Sequence, residues 1–178
     1  MPTVFRVRYS KIRSDVDRLL SKYGVGTAPV PVEKIARGEG LKIVKQPLDG
    51  EVSGFLLRSK GTFFIGVNQG QAKTRQRFTI AHELGHALLH EGEELHVDRG
   101  FRINYRDSTS SLATEIEEIE SNTFAAWLLM PVQILAPQVR SEHLDFDDEE
   151  AVVSLARRYD VSRQAMTHRL ANLAATGL

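Results

Sequence analysis

The sequence contains no cysteine among its 178 residues. This absence excludes disulfide frameworks, CxxC redox chemistry and thiolate metal sites, so any bound metal must be held by His, Asp or Glu. No apolar run is long enough to cross a bilayer, and the charged first eight residues lack the apolar core of a signal peptide. We therefore expect a soluble cytoplasmic protein with no membrane partner.

The chain also lacks net charge, because 23 Lys and Arg balance 23 Asp and Glu. Strong binding to a phosphate backbone requires an excess of Lys and Arg, so a nucleic-acid partner is not favoured. The content of 42% hydrophobic and 26% charged residues is ordinary for a globular protein. The length suits one compact domain with a small appendage.

The order of hydrophobic patterns predicts an α+β fold. Helical spacing of apolar residues predicts helices over 11–23 and 32–37, and a short strand follows at 41–44. The segments 52–58 and 62–68 predict a β-hairpin. Because no helix-sized segment separates these strands, we expect the small sheet to be antiparallel.

The second half of the chain is predicted to be helical on both sides of a long loop at 91–111. The pattern predicts helices over 71–90, 114–130, 149–159 and 162–173. The helix over 71–90 is apolar around nearly all of its circumference, which indicates burial. The last two helices are expected to be joined by a tight turn, with Ser162 as the N-cap of the final helix.

An HExxH motif, formed by His82, Glu83 and His86, lies in the predicted buried helix. Histidines four residues apart project from one side of a helix and suit two corners of a zinc tetrahedron. Glu83 could take a proton from a water that zinc activates, and Gly85 would let another backbone approach. Burying three such polar side chains without partners would be costly. We therefore predict two zinc ligands, His82 and His86, and a general base, Glu83, rather than core histidines.

The third ligand is expected from the next helix, which offers Glu115, Glu117, Glu118 and Glu120. Composition alone does not choose among these four carboxylates. Glu118 shares a helix face with Asn122, four residues on, and an amide there could hydrogen-bond a ligand imidazole. This pairing favours Glu118 as the ligand with Asn122 as its support. Glu115 and Glu117 are interpreted as solvated surface charge.

Three other residues are weaker candidates. His90 follows His86 by four residues, whereas the third histidine of metzincins follows the second by six, so His90 is interpreted as a helix-end residue that supports the site. His96 and Tyr105 fall in the predicted loop 91–111. Either side chain would suit stabilisation of an oxyanion, but no spacing supports that role, and both are interpreted as surface residues.

The two helical motifs together resemble the ImmA/IrrE family of zinc metallopeptidases. The resemblance is carried by the run from Arg75 to His90 and the run from Glu118 to Pro131, and it extends over most of the chain. Ser121 stands where Ala is more usual in this family, and Trp127 stands where a polar residue is frequent. Neither departure affects the predicted metal ligands.

The resemblance implies a zincin-like core of the gluzincin type, with His82, His86 and a glutamate of the later helix on the zinc. In this family the ligand glutamate stands four residues before an Asn or Asp, as Glu118 stands before Asn122. The resemblance also implies site-specific cleavage of a regulatory protein, commonly a helix-turn-helix transcriptional repressor. A substrate strand would then lie along a sheet edge, which we expect within 62–68.

The C-terminal segment 155–170 resembles a helix-turn-helix. Its expected packing positions are Ala156, Val161 and Met166, and its expected exposed positions are Arg163, Gln164, Thr167 and His168. We predict a zincin-like metallopeptidase domain over 1–140 and a helix-turn-helix-like appendage, a helical hairpin, over 141–178.

The segment 149–178 carries four Arg against three acidic residues, a thin charge excess for DNA binding. Packing on the core or recognition of a partner protein is therefore favoured for this hairpin. The alternative function is a non-proteolytic, zinc-containing transcriptional regulator or stress-response protein that binds DNA or a partner protein through these helices.

Overall fold

The computed structural model describes residues 6–49, 51–91, 94–98, 110–141 and 148–176, with side chains described from Thr114 onward in the helix that begins at Ser110. Its elements in chain order are α1 (Tyr9–Lys22), α2 (Val32–Gly38), β1 (Leu41–Gln46), β2 (Gly54–Ser59), β3 (Thr62–Asn68), α3 (Lys73–Leu89), β4 (Leu95–Asp98), α4 (Ser110–Leu129), α5 (Val132–Ser141), α6 (Glu149–Tyr159) and α7 (Arg163–Ala175). This order confirms the predicted α+β class.

The predicted loop 91–111 is the segment where the structure departs most from the sequence-based expectation. It contains the strand β4, and α4 begins at Ser110, four residues before the predicted start. The remaining part of that segment, residues 92–93 and 99–109, lies outside the described residues. The candidate Tyr105 lies there too.

The four strands form one sheet in the order β1-β3-β2-β4. β2 pairs antiparallel with β3, as the predicted hairpin requires, and also antiparallel with β4. β1, however, pairs parallel with β3. The expectation of a wholly antiparallel sheet is therefore wrong at this pairing, because the chain crosses from β1 to β2 without a helix and β3 then inserts between them.

This strand order also corrects the position of the open edge. The segment Thr62–Asn68 was expected to offer an edge, but β3 lies between β1 and β2, so among the described strands the edges are β1 and β4. Successive side chains of a strand point to opposite faces. In β4, His96 points toward the helices, while Leu95 and Val97 lie on the other face with 49% and 36% of their surface exposed.

The hydrophobic core lies between the sheet and the helices on one of its faces. Leu56 and Ile65 of the sheet, Ile80 and Leu84 of α3, and Phe124 of α4 are fully buried in a single cluster. α3 is in contact with β2, β3, α2 and α4. The helix that carries the HExxH motif is therefore central, as its apolar circumference predicted.

The two C-terminal helices pack into the same core. Tyr159 of α6 and Met166 of α7 belong to the main buried cluster, and Arg169 Nε donates to the Met130 carbonyl at 3.0 Å. The three predicted packing positions are buried and the four predicted recognition positions are exposed. Ser162 caps α7, its Oγ accepting from Ala165 N at 3.1 Å. The division into segments 1–140 and 141–178 stays a prediction.

None of the helices in the described part of the chain has the length and apolarity that spanning a membrane requires.

Gly54 marks a place where the sheet and α3 leave no room for a side chain. A Cβ atom there would lie 2.5 Å from the carbonyl oxygen of Gly66 and would also overlap Cγ2 of Thr79. We expect Gly54→Ala to lower the free energy of unfolding by about 2 kcal/mol, because overpacking forces the backbone to move. Urea denaturation measures this change. The control is Gly26→Ala, since no atom lies within 4 Å of a Cβ at Gly26, and equal stability of the two variants would contradict the prediction.

Candidate metal centre

The HExxH motif lies on the buried C-terminal half of α3. His82, Glu83 and His86 are each at most 3% exposed. The imidazoles of His82 and His86 project together, with ring centroids 4.7 Å apart and their planes at 72°. Their Nε2 atoms lie 3.1 Å apart. The spacing of four residues therefore brings two ring nitrogens to one point, as predicted.

α4 brings Glu118 to the same point. One Glu118 oxygen lies 3.5 Å from Nε2 of His82, and the other lies 3.2 Å from Nε2 of His86. The three ligand atoms all lie within 4.8 Å of one another. Among the described residues, the other glutamates considered for this position do not join that group: Glu115, Glu117 and Glu120.

Gly85 explains how the two helices come close enough. A Cβ atom at Gly85 would lie 3.1 Å from Cδ1 of Phe124 and 3.2 Å from the Cα of Ser121. The expectation that Gly85 lets another backbone approach is therefore confirmed, and that backbone belongs to α4. A side chain at this position would crowd Ser121 and Phe124 of α4.

Asn122 contacts the His82 imidazole at the ring nitrogen that does not face His86 and Glu118. Its Oδ1 lies 3.0 Å from Nδ1 of His82. This contact assigns the proton to Nδ1, so the lone pair of Nε2 faces His86 and Glu118. Such a hydrogen bond is the usual way in which proteins fix the tautomer of a metal-binding histidine.

Burial and hydrogen bonding together set the charges of the two histidines and of Glu118. Burial lowers the pKa of His82 and that of His86 to about 4, so both rings are neutral near pH 7. Burial alone would raise the pKa of Glu118, but hydrogen bonds with His86 and His96 bring it well below its usual range. Two neutral imidazoles and a carboxylate are the protonation states that a metal requires.

Glu83 lies beside this group and is fully buried. Its Oε1 has no hydrogen-bond partner among the described residues, and burial raises the pKa of Glu83 to about 7. An orphaned buried oxygen indicates a missing polar partner such as water.

His96 is the site residue that the sequence interpretation missed. It was interpreted as a surface loop residue, but from β4 its Nδ1 reaches Oε2 of Glu83 at 3.2 Å and its Nε2 reaches Oε1 of Glu118 at 2.9 Å. Although burial lowers the pKa of His96, its contacts with Glu118 and Glu83 raise it to about 10 in the chain without a cation. The apolar–polar alternation of residues 95–98 was the signal that could have placed it on a strand.

The donor set fits a divalent cation. Two ring nitrogens and a carboxylate converge. Their lone pairs would face one another at about the length of a hydrogen bond, and a cation between them would accept all of these lone pairs. Two groups of described residues bring their possible ligand atoms together in this way, and His96 belongs to neither of them. The second such group consists of His82, Glu83 and Asp98, but the Asp98 carboxylate already pairs with Arg75 at 3.3 Å.

His90 lies outside the converging donors. It is the C-cap of α3, which agrees with its interpretation as a helix-end residue. It is absent from both groups of described residues that could hold a metal.

Comparison with known proteins identifies the family. The model of the IrrE N-terminal-like domain family, Peptidase M78, matches residues 36–171. The chain therefore belongs to this family of metallopeptidases, which confirms the resemblance to ImmA/IrrE proteins. The match spans α3 and α4, which carry the converging histidines and glutamate, and continues through α6 into α7.

Two curated proteins are similar to the chain. "Uncharacterized immunity region protein 2" of Bacillus phage phi105 is 28% identical over 142 residues, which cover 79% of this chain and 80% of that protein. "Radiation response metalloprotease IrrE" of Deinococcus deserti is 27% identical over 175 residues, which cover 98% of this chain and 57% of that protein. The chain thus spans little more than half of the Deinococcus protein.

A solved structure described as a Mycobacterium tuberculosis transcriptional regulator has the same fold. It superposes with a TM-score of 0.63 at 18% identity, over 90% of this chain and 46% of that one. At this identity the likeness concerns the fold alone.

The contact between Asn122 and His82 generates a testable prediction. We expect Asn122→Ala to weaken zinc binding about 10- to 100-fold, because the His82 ring loses the partner that fixes its tautomer and orientation. Competition with a chromophoric chelator measures this affinity. The control is Thr123→Ala, which removes only an exposed bond from Oγ1 to the Ile119 carbonyl on the same helix. Equal zinc affinities in the two variants would rule out the supporting role of Asn122.

Proposed function

We propose that this chain is a zinc-dependent endopeptidase of the gluzincin type. His82, His86 and Glu118 bind the zinc, and Glu83 is the general base. The observation that carries the proposal is the convergence of three ligand atoms beside a buried carboxylate oxygen that lacks a partner. A site with a purely structural metal has no need of such a carboxylate.

Zinc is the metal that this donor set favours. The chain has no cysteine, and a pair of histidines with one carboxylate is a catalytic zinc set that leaves a fourth position for solvent. When bound, zinc lowers the pKa of a water molecule and polarises the carbonyl of the scissile peptide bond.

The chain's own residues supply the remaining functions. Glu83 takes the proton from the attacking water at Oε1, while its Oε2 is held by His96. Asn122 keeps the Nε2 atom of His82 directed at the site. After attack, Glu83 can return its proton to the leaving amine nitrogen, so that one carboxylate serves both steps.

The edge strand β4 is the proposed docking place for the substrate. It pairs with β2 on one side and is one of the two edges of the sheet that the described strands form, and its His96 contacts both Glu83 and Glu118. An extended peptide added to this edge would gain main-chain hydrogen bonds and pass beside Glu83. The segment 62–68, where an edge was expected, cannot take this role, because β3 is already paired with β1 and β2.

The substrate that we propose is a regulatory protein, such as a helix-turn-helix transcriptional repressor. This proposal draws on the family resemblance and on the two curated relatives, whose names refer to a phage immunity region and to a radiation response. A repressor substrate would place the reaction in the cytoplasm, as the composition predicted.

The proposal is tested by Glu83→Gln, which removes the base and keeps the shape of the side chain. We expect this variant to bind one equivalent of zinc and to lose at least 100-fold in cleavage rate, because general-base catalysis contributes about that factor or more. The measurement incubates a proteome-derived peptide library with the zinc-loaded chain and counts new N-termini by mass spectrometry. Full activity of the variant, or no cleavage by the unaltered chain, would refute the proposal.

The rival function is a non-proteolytic regulator that binds DNA through α6 and α7. Its supporting observation is the exposed face of α7, which carries Arg163, Gln164, Thr167 and His168. Against it, Arg163 lies 3.1 Å from the acidic Glu149 in an exposed ion pair. Arg169 is buried against the Met130 carbonyl, so one of the four arginines does not offer its charge to a phosphate.

We expect the full chain to bind duplex DNA more weakly than about 10⁻⁴ M at physiological salt, the weak end of non-specific binding. Fluorescence anisotropy with a labelled random-sequence duplex at several salt concentrations measures this affinity. Tight binding that falls steeply with salt, and that Arg157→Gln with Arg163→Gln abolishes, would favour the rival function.

A further inference from the structure

A buried carboxylate next to the candidate metal ligands pairs with a partly exposed arginine. Glu120 of α4 is fully buried, two residues after Glu118. Its Oε1 accepts hydrogen bonds from Arg8, in the segment before α1, with the backbone N at 2.6 Å and Nε at 3.0 Å. The Nη2 atom of Arg8 forms an ion pair with the other carboxylate oxygen. One residue therefore contacts both oxygens of this buried carboxylate.

The same guanidinium reaches the C-terminal end of α3. Nη2 of Arg8 donates to the Leu89 carbonyl at 3.1 Å and lies 3.1 Å from Nδ1 of His90. The last carbonyls of a helix lack intrahelical partners and carry partial negative charge. Arg8 thus joins the end of the helix that carries both candidate histidine ligands to the helix that carries the candidate glutamate ligand.

We propose that Arg8 is a positioning residue for the metal centre, a role that rests on the proposed zinc site. Glu118 and Glu120 are two residues apart, which is about 200° around an α-helix, so they face opposite sides of α4. Glu118 is directed at the histidine pair, and Glu120 is directed at Arg8. A rotation of α4 that loosened the Arg8 contacts would also turn Glu118 away from the histidines.

α3 is also anchored to the sheet by contacts that do not involve Arg8. Arg58 of β2 donates from Nη2 to the His86 carbonyl at 3.1 Å and lies 3.4 Å from the His90 carbonyl oxygen. These contacts tie the end of α3 to the sheet whether or not Arg8 is present. When Arg8 is removed, α3 therefore keeps the Arg58 contacts, whereas Glu120 of α4 loses the partner of both its oxygens.

The burial of Glu120 gives this anchor its effect. A buried carboxylate that loses its cation is strongly unfavourable. The Nε2 atom of His90 lies 3.7 Å from Glu120, but burial lowers the pKa of His90 to about 4, so this ring is neutral near pH 7 and does not replace the guanidinium. Without Arg8, α4 is expected to shift so that Glu120 reaches solvent. Such a shift changes the distance between Glu118 and the two histidines.

The test measures metal binding by the full chain rather than peptide cleavage. The variants are Arg8→Gln, Arg8→Lys and the double variant Arg8→Gln with Glu120→Gln. The control is Lys11→Gln, which breaks an exposed ion pair with Asp15 on α1. For each protein we measure zinc affinity by chelator competition, the visible absorption spectrum with Co²⁺ as the probe of coordination geometry, and the melting temperature without metal.

We expect Arg8→Gln to weaken zinc binding about 10- to 100-fold, as loss of supporting contacts does at other metal sites, and to alter the Co²⁺ spectrum. Arg8→Lys keeps the charge but not the planar fork, so it should weaken affinity by less. The double variant removes the unpaired charge and should lose less affinity than Arg8→Gln. Lys11→Gln should match the unaltered chain.

A lower melting temperature of Arg8→Gln with unchanged zinc affinity and Co²⁺ spectrum would overturn the proposal. If Arg8→Gln does not fold, Arg8→Lys decides, and an unchanged zinc affinity in that variant overturns it. An unaltered chain that binds no zinc would instead contradict the metal centre itself, so the two failures are distinct.

Discussion

The close contact between α3 and α4 is the constraint on which the candidate site depends. Gly85 presents no side chain, so the backbone of Ser121 and the ring of Phe124 occupy the space beside it. At this separation, one turn of α4 reaches the histidine pair from two sides. Glu118 faces their Nε2 atoms, and Asn122 lies behind the His82 ring. The absence of a side chain at Gly85 therefore helps α3 and α4 to bring the three candidate ligands together.

Several polar groups at and beside the site are buried, and their partners come from different parts of the chain. His96 of β4 holds Glu83, Arg8 before α1 holds Glu120, and Arg58 of β2 holds the end of α3. Buried polar groups without such partners would cost several kcal/mol each. The site is consequently complete only when the sheet, both helices and the N-terminal segment are folded together, so its assembly is coupled to folding of the whole core.

Local periodicity made part of this structure predictable. The helices other than α5, the hairpin and the pairing of His82 with His86 follow from spacings of two to four residues, which a sequence displays directly. Glu118 was favoured by its spacing to Asn122 and by the family resemblance, not by its spacing to the histidines. The parallel β1–β3 pairing and the contact between Arg8 and Glu120 do not follow from such spacings, because they join residues far apart in the chain with no repeating pattern. β4 was missed because four alternating residues in a polar segment give too short a signal. The catalytic and ligand roles stay predictions.

The position of β4 at the sheet edge has a consequence for the oligomeric behaviour of the chain. Its outer face exposes Leu95 and Val97, and open edge strands tend to pair with other chains. Two copies that joined along this edge would cover the same backbone groups that a peptide needs. Self-association along β4 would then compete with the proposed binding of a peptide at this edge.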